Sequence, residues 1–376
     1  MMTNQRVKKL REFMTENNLQ VAIVMSPDYQ FYLTGFRALI YSRPIICLIT
    51  LEQCSLIVPG LEESHAKGHA NVDRILPYYE HPEKANIAKT YLEVLEKELK
   101  AQEVSAVGVD MNFTPGKIIN EIKNVKSTVI DISGQIEKMR SIKDNEEIAA
   151  MIEAGKLVNL GVSETLKACK VGTTELEIDA IGNQVIYRIA SENYPNATLD
   201  LLVMTPSGPE RSILPHVYSN TRKIKQGDVI IHTRQVSLNG YRAELERTVI
   251  MGEPTKQQAH AFLAMQKAQQ AALDFIKPGI KASEVDAVAR DILREEGYAE
   301  YAIHRTGHAI GVSLHEPPYL SYDNDLVLEE GMAYTIEPGI YIPGLGGFRH
   351  SDTVILKKDG NLLITDYPRD LNDLIF

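Results

Sequence analysis

Four stretches of the chain gather side chains able to do chemistry. Residues 213–220 (ILPHVYSN) carry His216, and residues 227–248 (GDVIIHTRQVSLNGYRAELERT) carry Glu244 and Glu246. Residues 304–318 (HRTGHAIGVSLHEPP) carry His304, His308 and His315, and residues 331–353 (GMAYTIEPGIYIPGLGGFRHSDT) carry Glu337 and Arg349. An imidazole with an ordinary pKa near ~6.5 can take and return a proton at neutral pH. Glu244 and Glu246 are two residues apart, which puts them on one face of a strand. Carboxylates that share a pocket raise one another's pKa unless a cation sits between them. That cation can be a divalent metal ion or the positive end of a substrate.

These side chains need strands and helices to place them. LDLLVMT, DVIIHTRQV, GYRAELERTVIM, MAYTIEPGIYI and DTVILKK read as strands, with helices near 175–192, 255–276 and 282–296 between them. Long antiparallel-type strands with intervening helices predict an α+β domain. Upstream, residues 4–18 read as a helix with Val7, Leu10 and Phe13 at three-residue spacing. LQVAIVMS, PIICLIT, CSLIVPG, SAVGVD and STVIDIS read as strands, with helices over 84–101 and PGKIINEIKNV. This alternation predicts an α/β domain. The charged stretch MRSIKDNEEI opens a long helix near Asn145 and marks the boundary. The domains are therefore expected at 1–138 and 139–376.

The bulk properties narrow the classes further. The chain has 376 residues, room for two domains, and a net charge of −10 without any long basic run, which argues against a nucleic-acid partner. Its N-terminus is polar, and no stretch of 18 apolar residues occurs, so no membrane partner and a cytoplasmic location are expected. Cys47, Cys54 and Cys169 lack metal-knuckle spacing and are odd in number, which predicts reduced thiols.

Taken together, the four stretches resemble the creatinase, prolidase and aminopeptidase P family in order and spacing. The resemblance implies an α/β creatinase-type N-terminal domain, ribonuclease-H-like, followed by an α+β pita-bread catalytic domain. Peptidases of this family hold two metal ions with Asp, Asp, His, Glu and Glu. Those positions fall on Thr233, Glu244, His308, Glu337 and Ser351. Two dications about 3.5–4 Å apart need bridging carboxylates, and two of the five places here carry hydroxyls. No dinuclear centre is therefore expected. Glu244, His308 and Glu337 remain a ligand trio for one divalent ion such as Mn, Zn or Co. His232, next to Thr233 on a strand, is expected to face away from it.

The motif pattern is most similar to the metal-independent creatinase-like branch. That similarity implies His216 as proton-transfer base and Glu246, in ELERT, with Glu337, in TIEP, as catalytic carboxylates. His308, His315, Glu244 and Arg349 would contact substrate, and Arg349 and Asp352, matching R-x-x-D, would brace the site. Tyr41 and Arg43 match an aromatic-x-Arg pair that creatinase presents from a partner subunit, implying a homodimer. Tyr319 stands where creatinase has an arginine and is expected to contact substrate from that place. The leading expectation is therefore a metal-independent hydrolase cleaving a C–N bond in a small cationic, carboxylate-bearing substrate, with no cofactor. The alternatives are an Xaa-Pro dipeptidase or aminopeptidase using at most one metal ion, and a non-catalytic binding protein of the same fold.

Overall fold

The structure, a computed structural model, describes residues 2–40, 42–81, 83, 87–102, 104–124 and 127–376. The chain divides into two compact units, Met1–Arg140 and Ser141–Phe376.

The first unit is a six-stranded mixed sheet. Its centre is Val21–Val24, antiparallel to Ile46–Thr50 on one side and parallel to Ala106–Val109 on the other. Cys54–Pro59 and Arg74–Tyr78 extend one edge, and Thr128–Asp131 forms the other. The parallel pairs account for the near-continuous apolar runs VAIV and AVGV, because both sheet faces are covered. One face carries Leu10, Met14 and Leu33, and the other carries Leu95, Leu99 and Ile118. The stretch predicted as a helix from residue 84 is helical over Tyr91–Ala101, where the Thr90 hydroxyl accepts from the amide of Glu93. Residues 84–86 lie outside the described residues.

The second unit is built on an eight-stranded antiparallel sheet. At its centre Val229–Leu238 pairs with Tyr241–Ile250. The two strands are joined by Asn239 and Gly240, with φ of 50° and 90°. Positive φ at both central residues is the requirement of a type I′ hairpin turn, and Asn-Gly meets it with little strain. This two-residue turn sets the register of the site: Thr233 lies opposite Glu246, and Gln235 opposite Glu244. Every residue of both strands is buried. Helix Asn145–Lys167 packs across this hairpin. It begins in a capping box, with Asp144 accepting from the amides of Glu146 and Glu147 while Glu147 accepts from the amide of Asp144. Ser351–Lys357 lies beside the hairpin and sets Ser351 opposite Glu246. Gly307–Ala309 and Glu316–Leu320 complete the far edge.

The run read as one strand, MAYTIEPGIYI, is two. Ala333–Ile336 belongs to the large sheet, and Gly339–Ile342 pairs with Gly346–Arg349 in a separate ribbon. The change falls at Glu337-Pro338, where proline has no amide proton to give a ladder. The ribbon strand Gly346–Arg349 passes so close to Ser212 that a Cβ on Gly347 would stand 2.0 Å from the Ser212 carbonyl oxygen.

Candidate active site

A cavity of about 310 Å³ opens in the second unit. The central hairpin supplies Thr233, Gln235, Glu244 and Glu246 to its wall. His304, His315, Glu337 and Arg349 come from the later strands and loops, His216 and Tyr218 from the loop before the hairpin, and Leu202, Met204 and Leu314 are apolar. Side chains more than 100 residues apart in sequence, such as Thr233 and Arg349, thus meet in one cavity.

Glu246 lies at the bottom in a closed set of hydrogen bonds. Arg349 grips it through two nitrogens, Nε to Oε2 and Nη2 to Oε1, the latter at 2.7 Å. The Thr233 hydroxyl donates to Glu246 Oε1 at 2.6 Å. Arg349 Nη1 donates to the Tyr341 hydroxyl at 2.9 Å. Burial works against the guanidinium's charge, but Glu246 and its neighbours hold the Arg349 pKa well above the usual value. The carboxylate read from the sequence as a free catalytic group is therefore neutralised within the wall. Its partner is not the adjacent Arg247, whose side chain reaches Asp352 at 3.0 Å. Asp352 also accepts from Arg369, so Arg349 and Asp352 hold separate ion pairs, Glu246 for the one and Arg247 with Arg369 for the other.

Glu244 accepts from the Ser351 hydroxyl at 2.8 Å and from Gln235 Nε2. Burial, and then Glu246, push its pKa up to about 7 against those hydrogen bonds. Glu337 is raised well above the carboxylate range by burial and then by Glu244 and Glu246. His308 Nδ1 lies 2.9 Å from the carbonyl of Ala309, to which it donates. That contact leaves Nε2 with its lone pair, 3.4 Å from Glu337 Oε1 and 3.9 Å from Glu244 Oε2. His308 Nε2 and Glu337 Oε1 are buried without a hydrogen-bond partner among the described residues. The His308 ring stacks on His315, with centroids 3.8 Å apart, and His315 lies 6.2 Å from His216. Burial lowers the pKa of all of these rings, with Arg349 next in effect on His216 and His315 pushed down to about 4.

The donor set decides which metal content fits. Thr233 and Ser351 offer neutral hydroxyls already committed to Glu246 and Glu244, and Glu246 is occupied by Arg349. A dinuclear centre needs bridging carboxylates at those places and does not fit. One divalent ion does fit: His308 Nε2 and Glu337 Oε1 are orphaned side by side, with Glu244 Oε2 facing them. One imidazole with two carboxylates is an ordinary ligand trio.

The other predicted residues fall as follows. Tyr41 lies outside the described residues. Arg43 is exposed and pairs with Glu80 at 2.8 Å within its own unit. Tyr319 does not line the cavity; the Arg305 guanidinium rests on its ring at 3.9 Å. His232 is wholly buried, 2.8 Å from the Thr205 hydroxyl, and is not part of the cavity wall. Gln235 and His304 do line it. Gln235 could have been found from its place two residues after Thr233 on the same strand face; His304 had no signal beyond its neighbourhood.

The match to known proteins covers both units. Residues 149–358 match the metallopeptidase family M24, and residues 6–142 match the creatinase/prolidase N-terminal domain. The chain belongs to metallopeptidase family M24. Its fold is the creatinase-type N-terminal domain followed by the pita-bread domain. It is 31% identical over 97% of its length to a putative dipeptidase, YkvY, of Bacillus subtilis, covering 99% of that protein. It is also 31% identical to an Xaa-Pro dipeptidase of Pyrococcus horikoshii, over 98% of this chain and 99% of that one. An Xaa-Pro dipeptidase structure from Bacillus anthracis superposes with a TM-score of 0.84 at 28% identity, covering all of both chains. With such relatives over its whole length, the chain is a hydrolase.

These relatives overturn the leading expectation from the sequence, a metal-independent creatinase-like C–N hydrolase. The relatives that match from end to end are named dipeptidases. The expectation that no metal is used loses its support with it. No helix among the described residues is long and apolar enough to cross a membrane.

Proposed function

We propose that this chain hydrolyses the peptide bond of Xaa-Pro dipeptides with one divalent ion, such as Mn, Zn or Co, held by Glu244, His308 and Glu337. The observation that supports this most is the pair of orphaned buried atoms, His308 Nε2 and Glu337 Oε1, facing Glu244 in a chain whose full-length relatives are named Xaa-Pro dipeptidases. A bound ion would supply Lewis acidity and an acidified water.

The protein's own groups do the rest. Leu202, Met204 and Leu314 give the cavity an apolar side for a prolyl ring. His315, stacked on His308, holds that ligand ring in plane and presents its own edge to the substrate. His216 is kept neutral at pH 7 by burial and by Arg349. It can therefore donate a hydrogen bond from one ring nitrogen and take a proton on the other, passing it to the leaving proline nitrogen, an amine that must be protonated to depart. Glu246 and Arg349 form a rigid floor that keeps Thr233 and Tyr341 in place. We further propose that the protein is a cytoplasmic homodimer, with Tyr41 and Arg43 presented toward the partner's site.

The test is a substrate panel of Xaa-Pro dipeptides, longer Xaa-Pro peptides and creatine, each assayed with added Mn²⁺ and with EDTA. Mn²⁺-dependent release of proline from dipeptides is the expected result. Absence of proline release under every metal condition would refute the proposal.

A further inference from the structure

We infer that Arg305, which no part of the family resemblance singles out, is the anchor for the free carboxylate of the dipeptide's proline, and so restricts the enzyme to substrates ending there. This inference rests on the proposed dipeptidase reading.

A dipeptide brings a carboxylate within a few ångströms of its scissile bond. The cavity wall carries three buried carboxyl groups, Glu244, Glu246 and Glu337. A substrate carboxylate buried beside them needs a cationic partner of its own. Two guanidiniums act electrostatically on the cavity histidines, Arg349 and Arg305. Arg349 is spent: it is 2% exposed, and its three nitrogens are bonded to Glu246, Tyr341 and Thr233.

Arg305 differs in every respect. It is half-buried, and its side chain has no hydrogen bond or ion pair among the described residues. What holds it is the face of Tyr319, 3.9 Å below the guanidinium. Stacking of this kind fixes the plane of the group and leaves its N–H edges free. A planar fork with free edges is the geometry that takes a carboxylate through two parallel hydrogen bonds.

The backbone under Arg305 is also held. Helix Ala282–Glu295 presents Asp286 and Arg290 to this loop. Asp286 accepts from the Thr306 amide at 2.9 Å and the Thr306 hydroxyl at 2.8 Å. Arg290 donates to the carbonyls of Ala302 and His304, both at 2.9 Å. The residue before Arg305, His304, lines the cavity, and Tyr319 is the strand partner of His308. The free cation is thus anchored on both sides, one residue from the cavity wall and one strand pairing from the imidazole proposed to hold the ion. Little side-chain entropy is left to lose on binding, which favours recognition.

The experiment compares Ala-Pro with its C-terminal amide on the wild type, Arg305→Gln and Arg305→Lys, all with Mn²⁺. The wild type is expected to favour the free acid. Arg305→Gln should lower kcat/KM for Ala-Pro by about 10–100-fold, mostly through KM, which is the range for loss of a charged hydrogen-bonded contact. The amide should change less than about threefold, within the spread of neutral surface changes, and Arg305→Lys should recover part of the preference. Equal loss on acid and amide, or no loss on either, overturns the inference. If the wild type cleaves neither compound, the dipeptidase reading has failed separately. Calorimetric binding of the same two compounds then decides: an acid preference removed by Arg305→Gln upholds the anchor, and no preference, or no binding of either, overturns it.

Discussion

Replacing Arg349 by Met tests the floor of the cavity, because it leaves Glu246 buried without its counter-charge. In the wild type the guanidinium gives Glu246 two hydrogen bonds and also reaches Tyr341 and Thr233, with both members of the pair at least 98% buried. Removing one partner of such a pair typically costs about 3–5 kcal/mol, because the remaining charge is stranded. Thr233 still donates to Glu246 and offsets part of this, roughly 1 kcal/mol. The expected loss is therefore about 2–4 kcal/mol. Glu246→Gln alone strands Arg349 and should lose a similar amount. The double variant, with a neutral amide beside Met, should recover most of the loss, because the pair as a whole is worth much less than either half alone. Urea unfolding of all four proteins in EDTA gives the cycle, with a coupling energy of about 2 kcal/mol or more expected for groups in direct contact. Additive single losses with a coupling energy below about 0.5 kcal/mol would mean that Glu246 is not neutralised by Arg349. The claim that Glu246 is unavailable to a second metal ion would fall with it.

His308→Ala and Glu337→Gln should each abolish stoichiometric Mn²⁺ binding by calorimetry, while Glu246→Gln leaves one ion bound. His216→Asn should lower kcat by about 10²–10⁴-fold with KM little changed, since an amide cannot carry the proton; retention of more than a tenth of kcat would make His216 a binding residue only. Burial holds His232 and His350 well below the ordinary histidine pKa of 6.5. The unfolded chain therefore binds more protons, and their contribution to stability is complete above pH ~6.5 and lost as pH falls below it. His232→Gln should reduce the slope of stability against pH between ~5 and ~6.5 by up to about 1.4 kcal/mol per pH unit, and an unchanged slope would count against a neutral buried His232. Sedimentation at micromolar concentration should show a dimer, and a monomer with full activity would remove the role given to Tyr41 and Arg43.

Much of the frame was legible because it depends on local pattern. The two-residue spacing of Glu244 and Glu246 put them on one strand face, and the structure sets that face against Gln235 and Thr233 across the Asn239-Gly240 turn. The hydroxyls of Thr233 and Ser351 at two ligand places already argued against a dinuclear centre. What sequence did not reveal is which charges meet. Arg349 and Glu246 are 103 residues apart and pair only because two strands of different hairpins come together. The lean toward a metal-independent reaction came from the motif similarity and from hydroxyls at two ligand places; that Arg349 holds Glu246 could not be read from either. Arg305 was passed over for the same reason: its significance lies in the ring of Tyr319 beneath it and in the hydrogen bonds it does not make.

The most direct measurement is a titration of metal-free protein with Mn²⁺, following bound ion per chain and release of proline from Ala-Pro together. Activity should rise from zero and reach its plateau at one bound ion per chain, with no exchange-coupled pair in the Mn²⁺ spectrum. Full activity in the metal-free protein, or a plateau reached only at two ions per chain, would contradict the account.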